Sequence, residues 1–270
     1  MPIQTDTSDA ALISATRANL CDFFRHLAKS NQAGYFENDR FIRWRTQIVH
    51  PWFHGILAKF PATPGDDSFI EDSITHFRDH HVGLFTFWME PPQTRADWES
   101  ALKKFGFGYS DTTPGMAIDL DAIDESALKV DGLEFKIADD DKSAWTWTEV
   151  FIQGYGLPLG FEPSIFETWA NLGRDIPLRN YIGYLNGKPV ATSCLFLGGG
   201  AAGIYSVSTL PEFRGKGIGA AMTVKPLLDA QAMGYRIGTL QSSDMGFNIY
   251  KRMGFRHLCQ IENFYLQTRQ

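Results

Sequence analysis

The sequence has few cysteines, no long apolar run and no basic cluster, and each absence excludes a class of protein. Cys21, Cys194 and Cys259 are far apart and odd in number, so we expect neither a disulfide framework nor metal ligands. No run of about 18 apolar residues occurs, which predicts no membrane-spanning helix and no membrane partner. The first residues lack the basic and apolar parts of a secretion signal, so we expect a soluble, cytoplasmic protein.

Positive charge is also scarce. The chain has 25 basic and 31 acidic residues, and its formal net charge of −6 leaves no basic footprint for a phosphate backbone. Nucleic acid is therefore not an expected partner. With 270 residues, of which 44% are hydrophobic, the chain is long enough for two domains with cores of their own.

Three closely spaced glycines, in contrast, indicate a candidate binding loop. Gly215, Gly217 and Gly219 follow a β-prone run at 204–209 and precede an apolar segment with helical spacing that begins at Ile218. Glycines between a strand and a helix allow a tight loop that exposes its backbone N–H groups. These N–H groups and those of the helix start converge on one point, which suits an anion such as a pyrophosphate.

Two basic residues, Arg214 and Lys216, add positive charge to this loop, and its spelling separates it from other phosphate-binding loops. The loop of nucleotide triphosphatases requires Ser or Thr after Gly-Lys, but Gly217 follows Lys216 here. The dinucleotide-binding turn requires G-x-G-x-x-G and an acid at the end of the next strand. The glycines alternate instead, and Gln241 ends that strand.

The pattern Arg214-x-x-Gly217-x-Gly219, with Pro211 before it, resembles the acyl-CoA motif of the GCN5-related N-acetyltransferases (GNAT). A second segment, Tyr250-Lys251-Arg252-Met253-Gly254-Phe255, is similar to the family's Tyr-x-x-x-Gly-Phe segment. The two motifs occur in the family's order and at a typical distance. The resemblance implies an α/β (α+β) fold, in which a mixed, mostly antiparallel sheet is flanked by helices.

The N-terminal half contains a weaker copy of the second motif. Residues 102–107 (Leu-Lys-Lys-Phe-Gly-Phe) align with residues 250–255, and both follow a helix-like segment and precede a β-like run. We therefore predict a degenerate GNAT-like domain at 1–120, a linker at 121–131 and the acetyl-CoA-binding domain at 132–270. Chance similarity over six residues is the alternative. A homodimer is compatible with this organisation.

The resemblance also implies roles for individual residues. The strand before the loop, at Val207, Ser208 and Thr209, is expected to bind the pantetheine arm of acetyl-CoA. The expected remaining cofactor contacts are Arg214, Gly215, Lys216, Gly217, Ile218, Gly219 and Ser243. Tyr250 is expected to protonate the departing CoA thiolate, and no metal is expected.

Two departures from the family pattern leave parts of this site open. Many relatives have an asparagine seven residues before the tyrosine, and this chain has Ser243 there. Many also place a glutamate on the strand before the loop as general base, but residues 204–209 contain no acid. The base must lie elsewhere or be a water. Glu149, Glu162 and Glu167 are the candidates among side chains, although a solvated helix face or a cap is the favoured interpretation of each.

Four aromatic residues on the first two helices of the second domain have two interpretations: Trp145, Tyr155, Phe161 and Trp169. The resemblance implies that these helices border the acceptor site, where aromatic rings can contact an amine. The alternative is packing against the sheet or against the N-terminal half. The sequence leaves both open.

The predicted function is transfer of an acetyl group from acetyl-CoA to a primary amine, with a small molecule as the favoured acceptor, by direct attack in a ternary complex. Two alternatives remain. One is a CoA-binding module without catalysis, since the strand acid is missing. The other is acetylation of a protein lysine or N-terminus.

Overall fold

The computed structural model describes residues 2–48 and 50–268, and these residues form two compact units. Unit 1 contains the described residues up to Phe23 together with Pro114–Leu258. Unit 2 contains Phe24–Thr113 together with the described residues from Cys259. Each unit is thus formed by two separate stretches of the chain.

The helices and strands alternate in the mixed α/β manner that the sequence predicts. In the described residues the seven α-helices are α1 (Asp9–Ala28), α2 (Asp67–Asp79), α3 (Arg95–Lys103), α4 (Asp141–Tyr155), α5 (Glu162–Leu172), α6 (Ile218–Ala232) and α7 (Asp244–Arg252). The strands are β1 (Phe36–Glu37), β2 (Phe41–Arg45), β3 (His54–Ala58), β4 (Leu84–Met89), β5 (Gly108–Asp119), β6 (Leu133–Ile137), β7 (Leu178–Leu185), β8 (Lys188–Gly198), β9 (Ala201–Thr209), β10 (Ile237–Gln241) and β11 (Arg256–Gln267).

The sheet of unit 1 has the strand order β6-β7-β8-β9-β10-β5. All neighbouring strands are antiparallel except β9 and β10, which are parallel and joined through α6. Asn186 and Gly187 connect β7 to β8 with φ values of +50° and +78°, as a two-residue hairpin turn with left-handed residues requires. Asn-Gly between two β-prone runs is the strongest short hairpin signal in a sequence, and here it predicts the hairpin correctly.

Helices cover the sheet of unit 1 and are fixed by local capping and by apolar burial. Three acidic residues, Asp139, Asp140 and Asp141, precede the helical pattern and predict a cap. The side chain of Asp140 accepts the Ser143 N–H and begins α4. Trp147 of α4 is fully buried and donates its indole N–H to the Ser193 carbonyl of β8. From α6, Ile218 and Met222 enter the main core cluster of this unit.

The first part of α1 also belongs to unit 1. The side-chain amide of Asn19 donates to the carbonyls of Phe196, Gly198 and Ala201, and its oxygen accepts the Tyr205 hydroxyl at 2.8 Å. A fully buried amide that meets four partners fixes its helix firmly, because each lost bond would leave a buried polar group unmet. No local sequence motif predicts these hydrogen bonds, because the partners lie far from Asn19 along the chain.

Unit 2 repeats the order of unit 1 on a smaller scale. Its sheet is β1-β2-β3-β4-β11, with β3 and β4 parallel and joined through α2. The helix α3 follows β4, as α7 follows β10. The order confirms the predicted second GNAT-like region in the N-terminal half.

The short internal repeat also recurs in the hydrogen bonds. Phe107 N–H bonds to Leu102 O and Gly106 N–H to Lys103 O, which is a Schellman motif with glycine at φ +83°. The same two bonds and a glycine at φ +96° end α7 at residues 250–255. The six-residue similarity is therefore structural.

Neither compact unit is a contiguous range of residues, because each sheet includes a strand from the other half of the sequence. Residues 115–119 of β5 pair with β10 in unit 1, and residues 263–267 of β11 pair with β4 in unit 2. The predicted boundaries at 120 and 132 divide the chain by the expected function of its parts, and they stay a prediction.

Candidate functional site

A gap opens in the sheet of unit 1 where β9 leaves β10. The parallel pairing runs from Ala202–Gly238 to Ile204–Leu240, and β9 then continues to Thr209 with β8 as its paired neighbour in the described residues. Five residues of β9, 205–209, therefore have one side without a ladder partner. This segment contains the three predicted pantetheine contacts, Val207, Ser208 and Thr209.

A bulge in β9 marks the same place. The pairing with β8 shifts between Thr192–Ser208 and Cys194–Tyr205, and Ser206 has φ +53°, which is uncommon for a residue other than glycine. The Thr192 hydroxyl stabilises the bulge, since it contacts Ser206 O at 2.9 Å and Ser208 Oγ at 2.7 Å. The side chain of Ser208 is thus engaged inside the protein, and only backbone groups of this residue remain for a ligand.

The glycine loop lies between the end of β9 and the start of α6. Gly215 and Gly217 have φ of +77° and +79°, where a side chain would be strained, and a Cβ on Gly215 would meet no atom within 4 Å. The first helical bond joins Ala221 N–H to Gly217 O. In the part of the chain that the structure describes, the N–H groups of residues 215–220 have no protein acceptor. The loop is an exposed set of amide donors at a helix N-terminus, which suits an anion.

The two basic residues of the loop differ in position. The exposed Lys216 lies with its ammonium group 5.3 Å from the centre of the Phe213 ring. Arg214 instead turns back onto the protein, with Nε 3.0 Å from Thr209 O and Nη2 2.8 Å from Gly154 O. Its guanidinium group therefore joins the end of β9 to α4.

The end of α4 lies closely against the same part of β9. A Cβ on Gly154 would be 2.5 Å from Ser208 Oγ, so only glycine allows this approach. The next residue, Tyr155, donates its hydroxyl to Val207 O at 3.1 Å. Sequence reasoning missed Gly154; the available signal was a glycine in the last turn of a helix, where it costs about 1 kcal/mol relative to alanine.

Tyr250 lies in α7, partly buried against the main core cluster of unit 1, with its ring 5.7 Å from that of Phe255. Burial raises the pKa of Tyr250, and a hydrogen bond with Thr223 acts in the opposite direction. Thr223 itself donates to Gly219 O at 3.0 Å, so the Tyr250 phenol lies near the glycine loop. The phenol keeps its proton at neutral pH, as a general acid must.

Tyr155 belongs to the same site as Tyr250. Burial raises the pKa of Tyr155, and a negative charge on Tyr250 would raise it further. The structure thus brings together the β9 gap, the glycine loop and two phenols. The predicted contact Ser243 has another local role, because its side chain accepts the Gly246 N–H and caps α7 at 3.3 Å.

The four aromatic candidates do not form one group. Trp145 lies ten residues before Tyr155 in α4, about 15 Å away along the helix, and its ring meets Phe166 edge-on. Trp169 is 4% exposed and its ring lies 5.9 Å from Trp147, as a core residue would. Phe161 precedes α5 and is half-buried. Of the four, Tyr155 contacts the strand that carries the site.

The carboxylates offer no base on β9. Glu149 is exposed and accepts the Trp145 indole N–H at 3.0 Å, and Glu162 accepts the Gly160 N–H at 2.7 Å. Glu167 is exposed on α5. Glu149 and Glu162 thus have the structural roles that the sequence left open for them.

Unit 2 closes the corresponding gap. Here β3 stays paired with β4 up to its last residue, Ala58, opposite Met89. The indole of the fully buried Trp98 fills the space beyond, and donates to Phe60 O at 3.1 Å and Gln93 Oε1 at 2.7 Å. In the internal repeat Trp98 occupies the position of Gly246 in α7, so a large ring replaces an absent side chain.

The helix start in unit 2 is closed as well. The buried Asp66 accepts the Thr63 N–H at 2.7 Å and forms a two-point ion pair with Arg40. The carboxylate of Asp66 thus lies at the start of α2 bonded to Thr63 and Arg40, and no loop of alternating glycines precedes this helix. Unit 2 therefore lacks the strand gap and the glycine loop.

The site thus combines a strand gap, an exposed helix start that suits an anion, and a phenol beside them. Residues 144–255 match the model of the acetyltransferase (GNAT) family. No curated protein sequence matches the chain.

Solved structures confirm the fold over most of the chain. A GCN5-related N-acetyltransferase from Sphaerobacter thermophilus is 16% identical, with 95% of this chain and 94% of that chain covered and a TM-score of 0.61. A tandem GNAT protein from the clavulanic acid biosynthesis pathway is 13% identical over 93% and 95%, with a TM-score of 0.54. A GCN5-related glucosamine N-acetyltransferase region of a fungal multi-domain enzyme is 13% identical over 79% and 30%, with a TM-score of 0.59.

Two further findings concern metal ions and membranes. Within residues 2–48 and 50–268, no three or more His, Cys, Asp or Glu side chains form a group that could hold a metal ion. Among the helices of the described chain, none has the length and apolar character needed to cross a membrane.

Proposed function

We propose that this protein transfers the acetyl group of acetyl-CoA to the primary amine of a small molecule. The observation that carries the proposal is the junction of the β9 gap with the glycine loop, beside Tyr250. The gap provides a strand edge for the pantetheine arm, and the loop provides amides for the pyrophosphate. In unit 2 the corresponding strand stays paired to its last residue, and no loop of alternating glycines follows it.

The residues of the loop fit the donor. A Cβ atom on Gly217 or on Gly219 would have its nearest contact at 3.6 or 3.7 Å, so the backbone can approach a pyrophosphate from outside. Lys216 is exposed beside these amides and can add positive charge. Arg214 donates hydrogen bonds to two backbone carbonyls, those of Thr209 and Gly154. Its proposed role is to hold the loop in the conformation that binds the phosphates.

In the proposed reaction the neutral amine attacks the thioester carbonyl, the new C–N bond forms, and the C–S bond breaks. Backbone N–H groups of β9 stabilise the oxyanion that develops on the carbonyl, a role that needs no particular side chain. The proton of Tyr250 goes to the CoA thiolate, and solvent restores it. The products are an amide and CoA.

The amine must lose a proton before or during the attack, because an alkylammonium has a pKa of about 10.4. No acid lies on β9, and the Tyr155 hydroxyl donates to Val207 O with a raised pKa. Water in the open cleft is therefore the proposed proton acceptor. Rates should rise with pH as the free amine becomes more abundant.

The acceptor class follows from the site and from its relatives. The missing strand carboxylate removes an anion that would bind a cationic side chain, which favours an acceptor that enters as a free amine. The fungal relative of the same fold is a glucosamine N-acetyltransferase region, and the tandem relative comes from a small-molecule pathway. These likenesses support a small acceptor.

A screen of small amines, peptides and CoA alone by release of CoA thiol tests the proposal. We expect acetylation of one class of small amine well above the rate of hydrolysis by water. Acetylation of peptide lysines alone would replace the proposed acceptor by a protein. Binding of acetyl-CoA without turnover of any acceptor would indicate the non-catalytic module.

Each chain should bind one acetyl-CoA. Trp98 fills the corresponding place in unit 2, so within the described residues the gap in unit 1 is the proposed place for the donor. Calorimetric titration of the full chain should saturate at one equivalent. Saturation at two would show that Trp98 leaves the second gap when ligand binds.

Arg214→Lys tests how the arginine acts. Lysine keeps the charge but cannot bond Thr209 O and Gly154 O together, so we expect about tenfold weaker acetyl-CoA binding, the equivalent of one or two hydrogen bonds. Calorimetry with Lys216→Met as a comparison measures this. If charge alone mattered, Arg214→Lys would bind as the wild type does, and Lys216→Met would carry the loss.

A further inference from the structure

A group of basic side chains in unit 2 has no part in the proposed reaction. Arg43 and Arg45 are two residues apart on β2, so both point to the same face of the sheet. Arg45 pairs across the strands with His54 of β3, which places these two side chains next to each other. The same face is covered by α2, which contributes Ile70 and Phe77 to the core there.

The helix α2 adds a fourth member. Arg43 donates to Asp72 Oδ2 at 2.7 Å and to Ser73 Oγ at 3.2 Å, and His76 lies one turn further along the same helix. Burial and the charges of Arg43 and Arg45 lower the pKa of His76 to about 4. We call Arg43, Arg45, His54 and His76 the basic cluster.

Every member of the basic cluster has a buried nitrogen without a partner. Within the residues that the structure describes, no hydrogen bond reaches Arg43 Nε, Arg45 Nε, His54 Nδ1 or His76 Nε2. Arg43 is 9% exposed and His54 is 3% exposed. An unmet buried polar group costs about 1–3 kcal/mol, and a charged one costs more. The two arginine Nε atoms are always donors, and an imidazole nitrogen becomes one when it is protonated beside an anion, so the four atoms indicate a missing acceptor.

Nearby acceptors are already used. Asp72 is the carboxylate bonded to the cluster, and its side chain is 69% exposed. The last carbonyls of α2 accept other donors: His76 O binds His80 Nδ1, Phe77 O binds Val82 N–H, and Arg78 O binds His81 N–H. Asp72 therefore pairs with Arg43, and within the described residues no ion pair to a carboxylate is seen for Arg45.

The cluster is reachable from solvent. Arg43 and His54 are buried, Arg45 and His76 are half-buried, and His80 is exposed one turn beyond His76. The donors thus extend from the interior of unit 2 to its surface at the end of α2. A small anion could enter there and leave its remaining oxygens in water.

We propose that the basic cluster binds a phosphate group, either of inorganic phosphate or of a phosphomonoester. Donors from two arginines and two histidines on three separate elements approach from several directions, as the four oxygens of a tetrahedral anion require. A carboxylate offers two oxygens in one plane and would leave some of these donors unmet. The site is separate from the donor site proposed in unit 1.

The test uses the full chain and two phosphate probes. Inorganic phosphate and phenyl phosphate are titrated by calorimetry at constant ionic strength, with acetate as the planar anion. We expect binding of the phosphates and at least tenfold weaker binding of acetate. Equal affinities would identify phosphate itself as the ligand, and tighter phenyl phosphate would identify an ester.

Variants locate the binding. Arg45→Met keeps the apolar stem and should weaken phosphate binding at least tenfold, while Arg95→Met, which removes an arginine paired with Glu99 on α3, should leave it unchanged. Gly217→Glu should also leave it unchanged, which separates this site from the glycine loop. If Arg45→Met does not fold, His76→Gln carries the same test.

Three results would overturn the proposal. The first is no phosphate binding by the wild type beyond that of chloride at equal ionic strength. The second is equal phosphate affinity in Arg45→Met, or in His76→Gln if that variant is used, and in Arg95→Met. The third is loss of phosphate binding in Gly217→Glu, which would place the anion on the glycine loop.

Discussion

Gly217→Glu should abolish acetyl-CoA binding and leave the fold intact. Gly217 precedes the first residue of α6 with φ +79°, where a side chain is strained and would project toward the proposed pyrophosphate. The carboxylate would also occupy the helix N-terminus and repel the phosphates. We expect affinity to fall by more than a hundredfold in calorimetry with acetyl-CoA.

Gly234→Glu is the matched control. Gly234 has φ +92°, is exposed, and lies beyond the other end of α6, about 25 Å from Gly217 along the helix. The backbone strain and the added charge are therefore similar, but the substitution is remote from the loop. Equal loss in both variants would mean that strain in α6 explains the effect, and unchanged affinity in Gly217→Glu would exclude the glycine loop as the donor site.

Local signals predicted much of unit 1 correctly. The Asn186-Gly187 turn, the Asp140 cap and the glycine loop each depend on a few adjacent residues whose backbone preferences allow few alternatives. The alternating glycines identify the loop because only glycine adopts φ near +78° without strain. The resemblance to the family rested on the glycine loop and the segment at 250–255, and it implied the mixed α/β fold.

Features that depend on distant residues could not be predicted. The exchange of β5 and β11 is set by pairings between residues more than a hundred positions apart, and a strand's apolar pattern does not name its neighbour. The direction of Arg214 depends on a carbonyl 60 residues earlier in the chain. The fit of Gly154 against Ser208 likewise depends on two elements that meet only in the folded state.

The degenerate N-terminal half illustrates the same limit: its sequence indicates that a site is lost but not which residues replace it. The N-terminal half has no loop of alternating glycines, which predicted the loss of a donor site but not what fills the space. In the structure the indole of Trp98 fills it and donates to Phe60 O and Gln93 Oε1. A closed gap with internal partners also explains how unit 2 keeps its core without a ligand.

Tyr250→Phe should lower kcat by on the order of 10²–10⁴-fold, the usual contribution of a general acid, and should change the KM for acetyl-CoA little. The ring would still pack against Phe255, so the fold and the donor site should persist. Burial raises the pKa of Tyr250, which favours the protonated phenol that this step needs. Steady-state kinetics with the acceptor found in the amine screen measures the effect.

Tyr235→Phe serves as the control, because Tyr235 packs against the same core cluster and has no proposed part in the reaction. It should retain wild-type kcat. Tyr155→Phe separates the two phenols of the site: loss of its bond to Val207 O should disturb β9 and raise the KM for acetyl-CoA more than it lowers kcat. If Tyr250→Phe raised KM and kept kcat, its hydroxyl would only bind the sulfur, and the thiolate would leave to solvent without an acid.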